Sequence, residues 1–188
     1  MKVGIKSVTM DDVARHLGIS KKTLYKFVED KNDLVKKALT FNCDIENKEI
    51  CLLCETGKNA IDESYDISQF VFNHISNVHP TIVFDLQKYH TEAWNDFRND
   101  KMGQIHQCYM DNIKKGIKEG LYRDDINAEI ITKHYTSRFE IIFDKELFPS
   151  ERFSPAETYF EIFRYHIRGI ASEKGLKYLS KKLNNYKS

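Results

Sequence analysis

The stretch TMDDVARHLGISKKTLYKFVEDKNDL, residues 9–34, decides how the N-terminal end of this 188-residue chain folds. Thr9 is a good helix N-cap, and Asp12 stands at the reciprocal position of a capping box. Apolar residues then recur at helical spacing, and Gly18 supplies the backbone freedom that the end of a helix often uses. We therefore predict a short helix that begins after Thr9 and stops at Gly18.

A second short helix is predicted directly after the first. Ser20 is a suitable N-cap for a helix over residues 21–27, and Leu24 together with either Phe27 or Val28 faces inward. The lysines and hydroxyl side chains are then left on the outer face, where lysine neutralises phosphates and hydroxyls bond phosphate oxygens or base edges. Two short helices joined through Gly-Ile-Ser, the second of them basic, are typical of a DNA-binding helix-turn-helix.

A third helix is predicted to begin near Lys31, and with it the stretch resembles the TetR family. The family signature reads Thr-x-x-x-Ile-Ala-x-x-x-Gly-Val-Ser, then Lys-x-Thr-Leu-Tyr-x-x-Phe, then Lys-x-x-Leu. This chain departs from it at Lys22, where a small residue is common, and at Val28, where the aromatic residue usually falls. The resemblance implies a helix-turn-helix DNA-binding domain over residues 1–45, and a helical effector-binding and dimerisation domain over residues 46–188.

The resemblance also implies which side chains contact DNA. They are Thr9, Lys21, Lys22, Thr23, Tyr25, Lys26 and Lys31. Members of the family carry a full amphipathic helix ahead of this motif, whereas this chain enters the motif at Gly4. We therefore expect that helix to be missing, either because the true start lies upstream or because the chain has lost the element. Its absence would expose Val13, Leu17 and Leu24.

The rest of the chain is predicted to be helical. It has only eight glycines and three prolines, and no long stretch alternates with period two, so the fold class is predicted to be all-α. Helix boundaries are expected at the Gly57 region, His79–Pro80, Asn99–Asp100, Gly120 and 148–150, with Pro80 and Pro155 in first turns. Two further segments, residues 116–126 and 165–176, also resemble the family.

Charge is unevenly distributed along the chain. The net charge is +1, but residues 1–40 hold nine Lys and Arg against five Asp and Glu, which gives +4. The remaining residues hold twenty against twenty-three, which gives −3. A basic N-terminal segment on a mildly acidic body indicates phosphate contacts at one end only.

Two late helices, predicted over residues 127–148 and 155–171, carry more apolar side chains than docking on a core requires. The resemblance implies a four-helix dimer interface built from two such helices per subunit. The candidate interface residues are Ile131, Phe139, Ile142, Phe143, Tyr159, Phe163 and Ile167. The alternative is that these side chains fill the core of a single chain.

An effector pocket is expected among the central helices. The candidate lining residues are Phe70, His74, Phe84, Tyr89, His90, Trp94, Tyr109 and Tyr135. Their composition suits an apolar or aromatic small molecule that is held by a few polar anchors. The alternative is that an aromatic stripe at helical spacing simply packs the core.

Several protein classes are not indicated by the sequence. The N-terminus has no apolar signal region and no stretch suits a membrane span, so we expect a cytoplasmic chain with no membrane partner. Cys43, Cys51 and Cys54 are predicted to be free thiols on one buried apolar helix face, and no metal site is expected. The histidines form no HExxH pair and no Gly-rich phosphate loop occurs, so we expect neither a cofactor nor an enzyme.

These observations favour a DNA-binding transcription regulator. We expect a homodimeric, ligand-responsive repressor whose partners are a double-stranded DNA operator, a second copy of the chain and an unknown small-molecule effector. The alternative is a helical dimerisation or scaffold protein that has lost DNA binding together with its first helix.

Overall fold

The computed structural model describes residues 4–139, 141–144 and 146–185. Its α-helices are α1 (Met10–His16), α2 (Lys21–Leu24), α3 (Lys31–Cys54), α4 (Ala60–Asn77), α5 (Pro80–Tyr89), α6 (Thr91–Lys118), α7 (Ala128–Thr136), α8 (Pro155–Ile170) and α9 (Glu173–Asn185). Short 3-10 turns lie at Ile5–Ser7, Ser137–Phe139 and Ile141–Phe143. The described ranges hold no β-strand, which confirms the all-α prediction, and none of their helices is long and apolar enough to cross a membrane.

Local sequence signals determine where the first helices begin and end. The Thr9 hydroxyl accepts a hydrogen bond from the Asp12 amide at 3.2 Å, and the Asp12 carboxylate accepts one from the Thr9 amide at 3.0 Å. Ser20 caps α2 by accepting a bond from the Thr23 amide at 3.0 Å. Gly18 has a φ of +67°, a left-handed conformation that strains other residues. The predicted capping box and both predicted caps are confirmed.

The described residues of Met1–Lys48 and Asn77–Lys101 form one compact unit, here called the N-terminal unit. Its small core consists of Met10, Ala14, Leu24 and Val28, with Val13, Ile19 and Leu34 packed against them. Val28, and not Phe27, is therefore the side chain that turns inward. The predicted exposure is correct for Leu17, which is 57% exposed, but wrong for Leu24, which is buried. Phe27 is 69% exposed.

The described residues of Glu49–Ser76 and Met102–Ser188 form a second compact unit, here called the body. Its apolar core draws on α4, α6, α8 and α9, and Ile61, Ile113 and Phe163 are completely buried in it. A polar network joins α4 to α6 inside this core, because Asn112 donates to the Glu63 carboxylate at 2.8 Å. The domain boundary predicted between residues 45 and 46 stays a prediction.

Two glycines explain the segment around residues 116–126. A Cβ atom on Gly116 would overlap the ring of Tyr122, so only glycine lets this ring pack against α6. Gly120 ends the helix with a φ of +67° and turns the chain back. Tyr122 then forms an isolated antiparallel bridge with Ala171. The two C-terminal segments that resemble the family therefore pack against each other.

The predicted dimer interface needs correction. Ile142, Tyr159, Phe163 and Ile167 are buried inside the body, with Phe163 0% exposed, so these side chains cannot reach a second chain. The amphipathic face of α8 packs inward on the body, which is the alternative that the sequence left open. Ile131 and Phe143 are half-buried and stay predictions. The side chain of Phe139 lies outside the described residues.

Other sequence predictions are also wrong in detail. α6 runs without a break through Asn99 and Asp100, and the chain breaks earlier, at His90, which caps α5 in a non-helical conformation. The helix predicted over residues 127–148 ends at Thr136 and continues as 3-10 turns. Cys51 is exposed and so does not share the buried position of Cys43, although the described thiols are free as predicted.

Candidate functional site

The outer surface of α2 and of the turn that follows it is the first candidate site. Lys22 and Lys26 are exposed, and within the described part of the chain neither side chain has a hydrogen bond or an ion pair. Tyr25 is also exposed. The Thr23 hydroxyl shares a hydrogen bond of 2.8 Å with the Ser20 hydroxyl. Two free ammonium groups beside an exposed phenol can meet a phosphate backbone and a groove edge without first breaking a contact.

Two further predicted contacts are already occupied. The Lys21 ammonium forms an ion pair with Asp11 at 3.0 Å, and this hydrogen bond raises the pKa of Lys21. The Thr9 hydroxyl lies 2.6 Å from the Asp12 carboxylate and belongs to the cap of α1. Both groups are exposed, so a phosphate could replace their present partners at a modest cost.

Lys31 differs from the other lysines. Its ammonium donates to the backbone carbonyls of Ile5, Lys6 and Val8 at 2.7, 3.2 and 2.6 Å. These carbonyls belong to the short segment that leads into α1. The side chain is half-buried, and all three ammonium hydrogens have acceptors. Lys31 therefore holds the leading segment against the start of α3 instead of projecting from the surface.

The same leading segment is fixed by α5. The Lys6 amide donates to the buried Asp85 carboxylate at 2.8 Å, and the Lys6 ammonium donates to the Tyr89 hydroxyl at 3.0 Å. That hydrogen bond lowers the pKa of Tyr89. His90 Nδ1 lies 2.5 Å from the Asn32 side-chain oxygen. Tyr89 and His90, both predicted to line a pocket, thus serve the packing of the N-terminal unit.

A cluster of polar side chains, buried except for the half-buried Tyr109, forms the second candidate site, in the body. It consists of Ser68 on α4, Tyr109 on α6, Tyr135 on α7, and Tyr159 and His166 on α8, and it is called the hydroxyl cluster below. The Tyr135 ring centroid lies 4.3 Å from that of Tyr109 and 4.1 Å from that of His166. Among the described residues, Ser68 Oγ, Tyr135 OH and His166 Nε2 are buried without a hydrogen-bond partner. Each such atom costs stability unless a partner arrives.

The hydroxyl cluster is electrically neutral at physiological pH. Burial raises the pKa of Tyr109 and of Tyr135 well above the ordinary value. Burial also raises the pKa of Tyr159, and the nearby hydroxyls of Ser68, Tyr135 and Tyr109 partly offset that rise. Burial lowers the pKa of His166 to about 4, with smaller contributions from the charges of His134 and Arg138. The cluster therefore offers hydroxyl groups and a neutral imidazole, but no ion.

The predicted pocket residues fall in different places. Tyr109 and Tyr135 lie in the hydroxyl cluster. Phe70 and His74 stack on each other on α4, with ring centroids 4.2 Å apart. Phe84 and Trp94 belong to the N-terminal unit, where Phe84 is exposed and Trp94 is buried.

Sequence reasoning missed three members of the cluster. Ser68 and His166 were not singled out, and Tyr159 was assigned to a dimer interface. The signal was present, because His166 follows Tyr159 by seven residues and so shares its buried helix face. A polar side chain on an otherwise apolar face marks a candidate site when no partner for it is apparent.

Comparisons with known proteins agree with this organisation. Residues 1–38 match the family described as "Bacterial regulatory proteins, tetR family". The chain is 21% identical over 131 residues to the HTH-type transcriptional repressor KstR2 of Mycobacterium tuberculosis, covering 68% of this chain and 66% of that protein. The aligned region thus falls just short of two thirds of that relative's length.

Solved structures share the fold. The KstR2 structure superposes with a TM-score of 0.62 at 17% identity, covering 90% of this chain and 87% of that chain. A putative transcriptional regulator from Saccharomonospora viridis, in complex with choline, superposes with a TM-score of 0.70 at 16% identity and covers 90% of both chains. FadR from Bacillus subtilis, in complex with stearoyl-CoA, superposes with a TM-score of 0.67 at 10% identity and covers 88% of this chain and 90% of that chain. At these identities the likeness establishes the fold.

Proposed function

Because this chain is a regulatory protein of the TetR family, we propose that it is a homodimeric repressor that binds operator DNA and releases it when an effector binds the body. Regulators of this family bind DNA operators, act as dimers and bind small-molecule effectors. The observation that carries the proposal for this chain is the capped helix-turn-helix whose outer surface presents free lysines. The alternative of a scaffold protein without DNA binding has no observation in its favour.

We propose that α2 and its following turn enter the major groove. Lys22 and Lys26 neutralise phosphates, and Tyr25 and Thr23 bond phosphate oxygens or base edges. Lys21 and Thr9 join them by exchanging their carboxylate partners for phosphate oxygens. Lys31 is assigned a different role, because its ammonium already holds three carbonyls: it positions the helix-turn-helix.

We propose that the effector binds at the hydroxyl cluster. An ionic ligand would meet no counter-ion among its five side chains, and burying an unpaired charge there is costly. The cluster suits an uncharged ligand whose hydroxyl or carbonyl group bonds Tyr135, Ser68 and His166, while the flat rings hold its apolar part. The ligands named for FadR and for the Saccharomonospora viridis protein carry charges, so this assignment predicts a different effector class.

The dimer contact is proposed for the outward faces of α7 and α8. The ring contact between Tyr135 and His166 places these two helices side by side. On their outer faces Ile130 is 63% exposed and Tyr165 is 77% exposed, and the exposed Gly169 allows close backbone approach. A second copy is the occupant that a two-fold operator requires, since two recognition helices must be held about one DNA turn apart.

Operator binding is the direct test of the regulator. Fluorescence anisotropy with a labelled duplex from the region upstream of the coding sequence compares the chain with Lys22→Ala, Lys26→Ala and the matched control Lys181→Ala on α9. We expect salt-sensitive binding that weakens at least tenfold in the double variant Lys22→Ala/Lys26→Ala and is unchanged in the control. If no part of that region binds, or if all three lysines matter equally, the proposed interface is wrong.

The effector site is tested with one-ring probes of different charge. Cyclohexanone and phenol are uncharged, whereas benzoate and benzylammonium carry charge, and binding is followed by the thermal unfolding midpoint. We expect the uncharged pair to raise the midpoint, and Ser68→Ala to remove the effect while Ser76→Ala, farther along the same helix, leaves it intact. Preferential binding of either charged probe would contradict the assignment.

A further inference from the structure

Two thiols meet where the end of α3 lies beside α6. Cys54 Sγ and Cys108 Sγ are 3.8 Å apart, although 54 residues separate them along the chain. Both side chains are half-buried, and both are free thiols. A disulfide needs sulfur atoms about 2 Å apart, so side-chain rotation has roughly 2 Å to close. The pair is thus close enough to be oxidised together.

The surroundings of the pair slow its first reaction with an oxidant. Burial raises the pKa of both thiols, and the negative charge of Glu63 acts in the same direction. Because the thiolate is the reactive form, attack on an oxidant begins slowly at neutral pH. Cys51, one turn before Cys54, is exposed and meets dissolved oxidants first. We therefore expect the first reaction of the pair with an oxidant to be slow.

We propose that Cys54 and Cys108 form a reversible disulfide site whose oxidant is a low-molecular-weight disulfide. In the first step the Cys54 thiolate attacks one sulfur of the oxidant and displaces one small thiolate, which leaves a mixed disulfide on Cys54. In the second step the Cys108 thiolate attacks Cys54 Sγ and displaces the second small thiolate. Both thiol protons pass to these leaving groups through solvent, so two protein thiols are oxidised and one small disulfide is reduced to two thiols.

The second step is fast relative to the first, because the attacking sulfur is already in place. Groups that are held together react as if at very high concentration, so the mixed disulfide on Cys54 does not accumulate. The finished bond ties the last residue of α3 to α6. A cross-link between positions so far apart in sequence restricts the unfolded chain more than the folded one, and so raises the unfolding midpoint.

The test uses the full chain and oxidised glutathione as the probe. After incubation, free thiols are alkylated, the protein is digested, and linked peptides are identified by mass spectrometry. We expect a Cys54–Cys108 link in the unmodified chain and in the control variants Cys43→Ser and Cys51→Ser. In Cys108→Ser we expect a glutathione adduct on Cys54 instead. The oxidised chain unfolds several degrees higher, a shift that dithiothreitol reverses.

Other products would overturn the proposal. A Cys51–Cys54 link, an adduct confined to Cys51, or the absence of any linked peptide after prolonged incubation each contradicts it. The outcome does not depend on whether Cys108→Ser folds, because Cys51→Ser keeps both members of the pair. It is also independent of operator binding, so the disulfide site and the repressor function can fail separately.

Discussion

Replacing Lys31 with methionine separates two roles that a lysine beside a recognition helix could have. If Lys31 is a positioning residue, the change removes three charge-assisted hydrogen bonds, to the carbonyls of Ile5, Lys6 and Val8. Each such bond contributes roughly 1.5–3 kcal/mol to stability. In the variant, water can reach these partly exposed carbonyls and replace the lost hydrogen bonds, so much of that stability is retained. We expect a net loss of about 2–3 kcal/mol, which corresponds to roughly 5–10 °C in the unfolding midpoint for a chain of this length.

The salt dependence of operator binding provides the second readout. Each phosphate contact contributes about −0.9 to the slope of log K against log salt concentration. We expect Lys31→Met to lower operator affinity at every salt concentration without changing that slope. The matched variant Lys22→Met removes a free surface ammonium, so its slope becomes less negative by about 0.9 per subunit while the midpoint stays the same.

The opposite pattern would refute this reasoning. If Lys31→Met flattens the salt slope as Lys22→Met does and leaves the unfolding midpoint unchanged, Lys31 contacts a phosphate in the complex. Its bonds to the leading segment would then be exchanged on binding and would contribute little to stability. Circular dichroism melts and anisotropy titrations on the same preparations give both readouts.

Three further predictions concern the body. Gly116→Ala forces a methyl group into the Tyr122 ring and should lower the free energy of unfolding by about 3 kcal/mol or more. Gly103→Ala lies on the same helix in open space and should raise the free energy of unfolding by up to about 1 kcal/mol. Urea unfolding measures both changes. The pKa of His166 is about 4 in the folded chain and 6.5 when unperturbed. The contribution of the neutral imidazole to the free energy of unfolding is therefore complete above pH 6.5 and is lost as the pH falls towards 4. That loss amounts to roughly 3 kcal/mol, and the difference between the unmodified chain and His166→Phe across this pH range isolates it; equal pH profiles would contradict it. Tyr135→Phe removes a buried hydroxyl without a partner and should leave the ligand-free chain equally or more stable by about 1 kcal/mol, while a clear loss of stability would show that the hydroxyl is bonded.

Local signals were sufficient for the ends of α1 and for the start of α2. Thr9, Gly18 and Ser20 act through bonds and backbone angles within a few residues, so their positions in sequence fix the helix ends directly. The choice between Phe27 and Val28 could not be made this way, because it depends on which side of a tight turn meets Met10 and Ala14. Turn geometry of that kind has no periodic signature.

The sites depend on contacts between distant residues, and for this reason they were predicted less well. Tyr135 was predicted to line a pocket and Tyr159 to form a dimer interface, and only the packed helices show that both side chains belong to one cluster. The ammonium of Lys31 bonds carbonyls more than twenty residues earlier in the chain, a contact that no local pattern reveals and that supports the positioning role proposed for this residue. The buried face of α8 was assigned to a dimer because periodicity identifies an apolar stripe without identifying what covers it.

The shortness of α2 limits how many base pairs one chain could contact in the proposed operator complex. Four helical residues rise only about 6 Å, roughly the span of two base pairs, although the following turn extends the surface a little further. A sequence of so few base pairs recurs on the order of thousands of times or more in a bacterial chromosome, among the million or more competing sites. A single subunit would therefore be distributed over many DNA sites other than its operator. In the proposed dimer, the fixed distance between the two copies of α2 would distinguish one promoter from the others, so the spacing of the two half-sites would contribute as much specificity as the contacted base pairs.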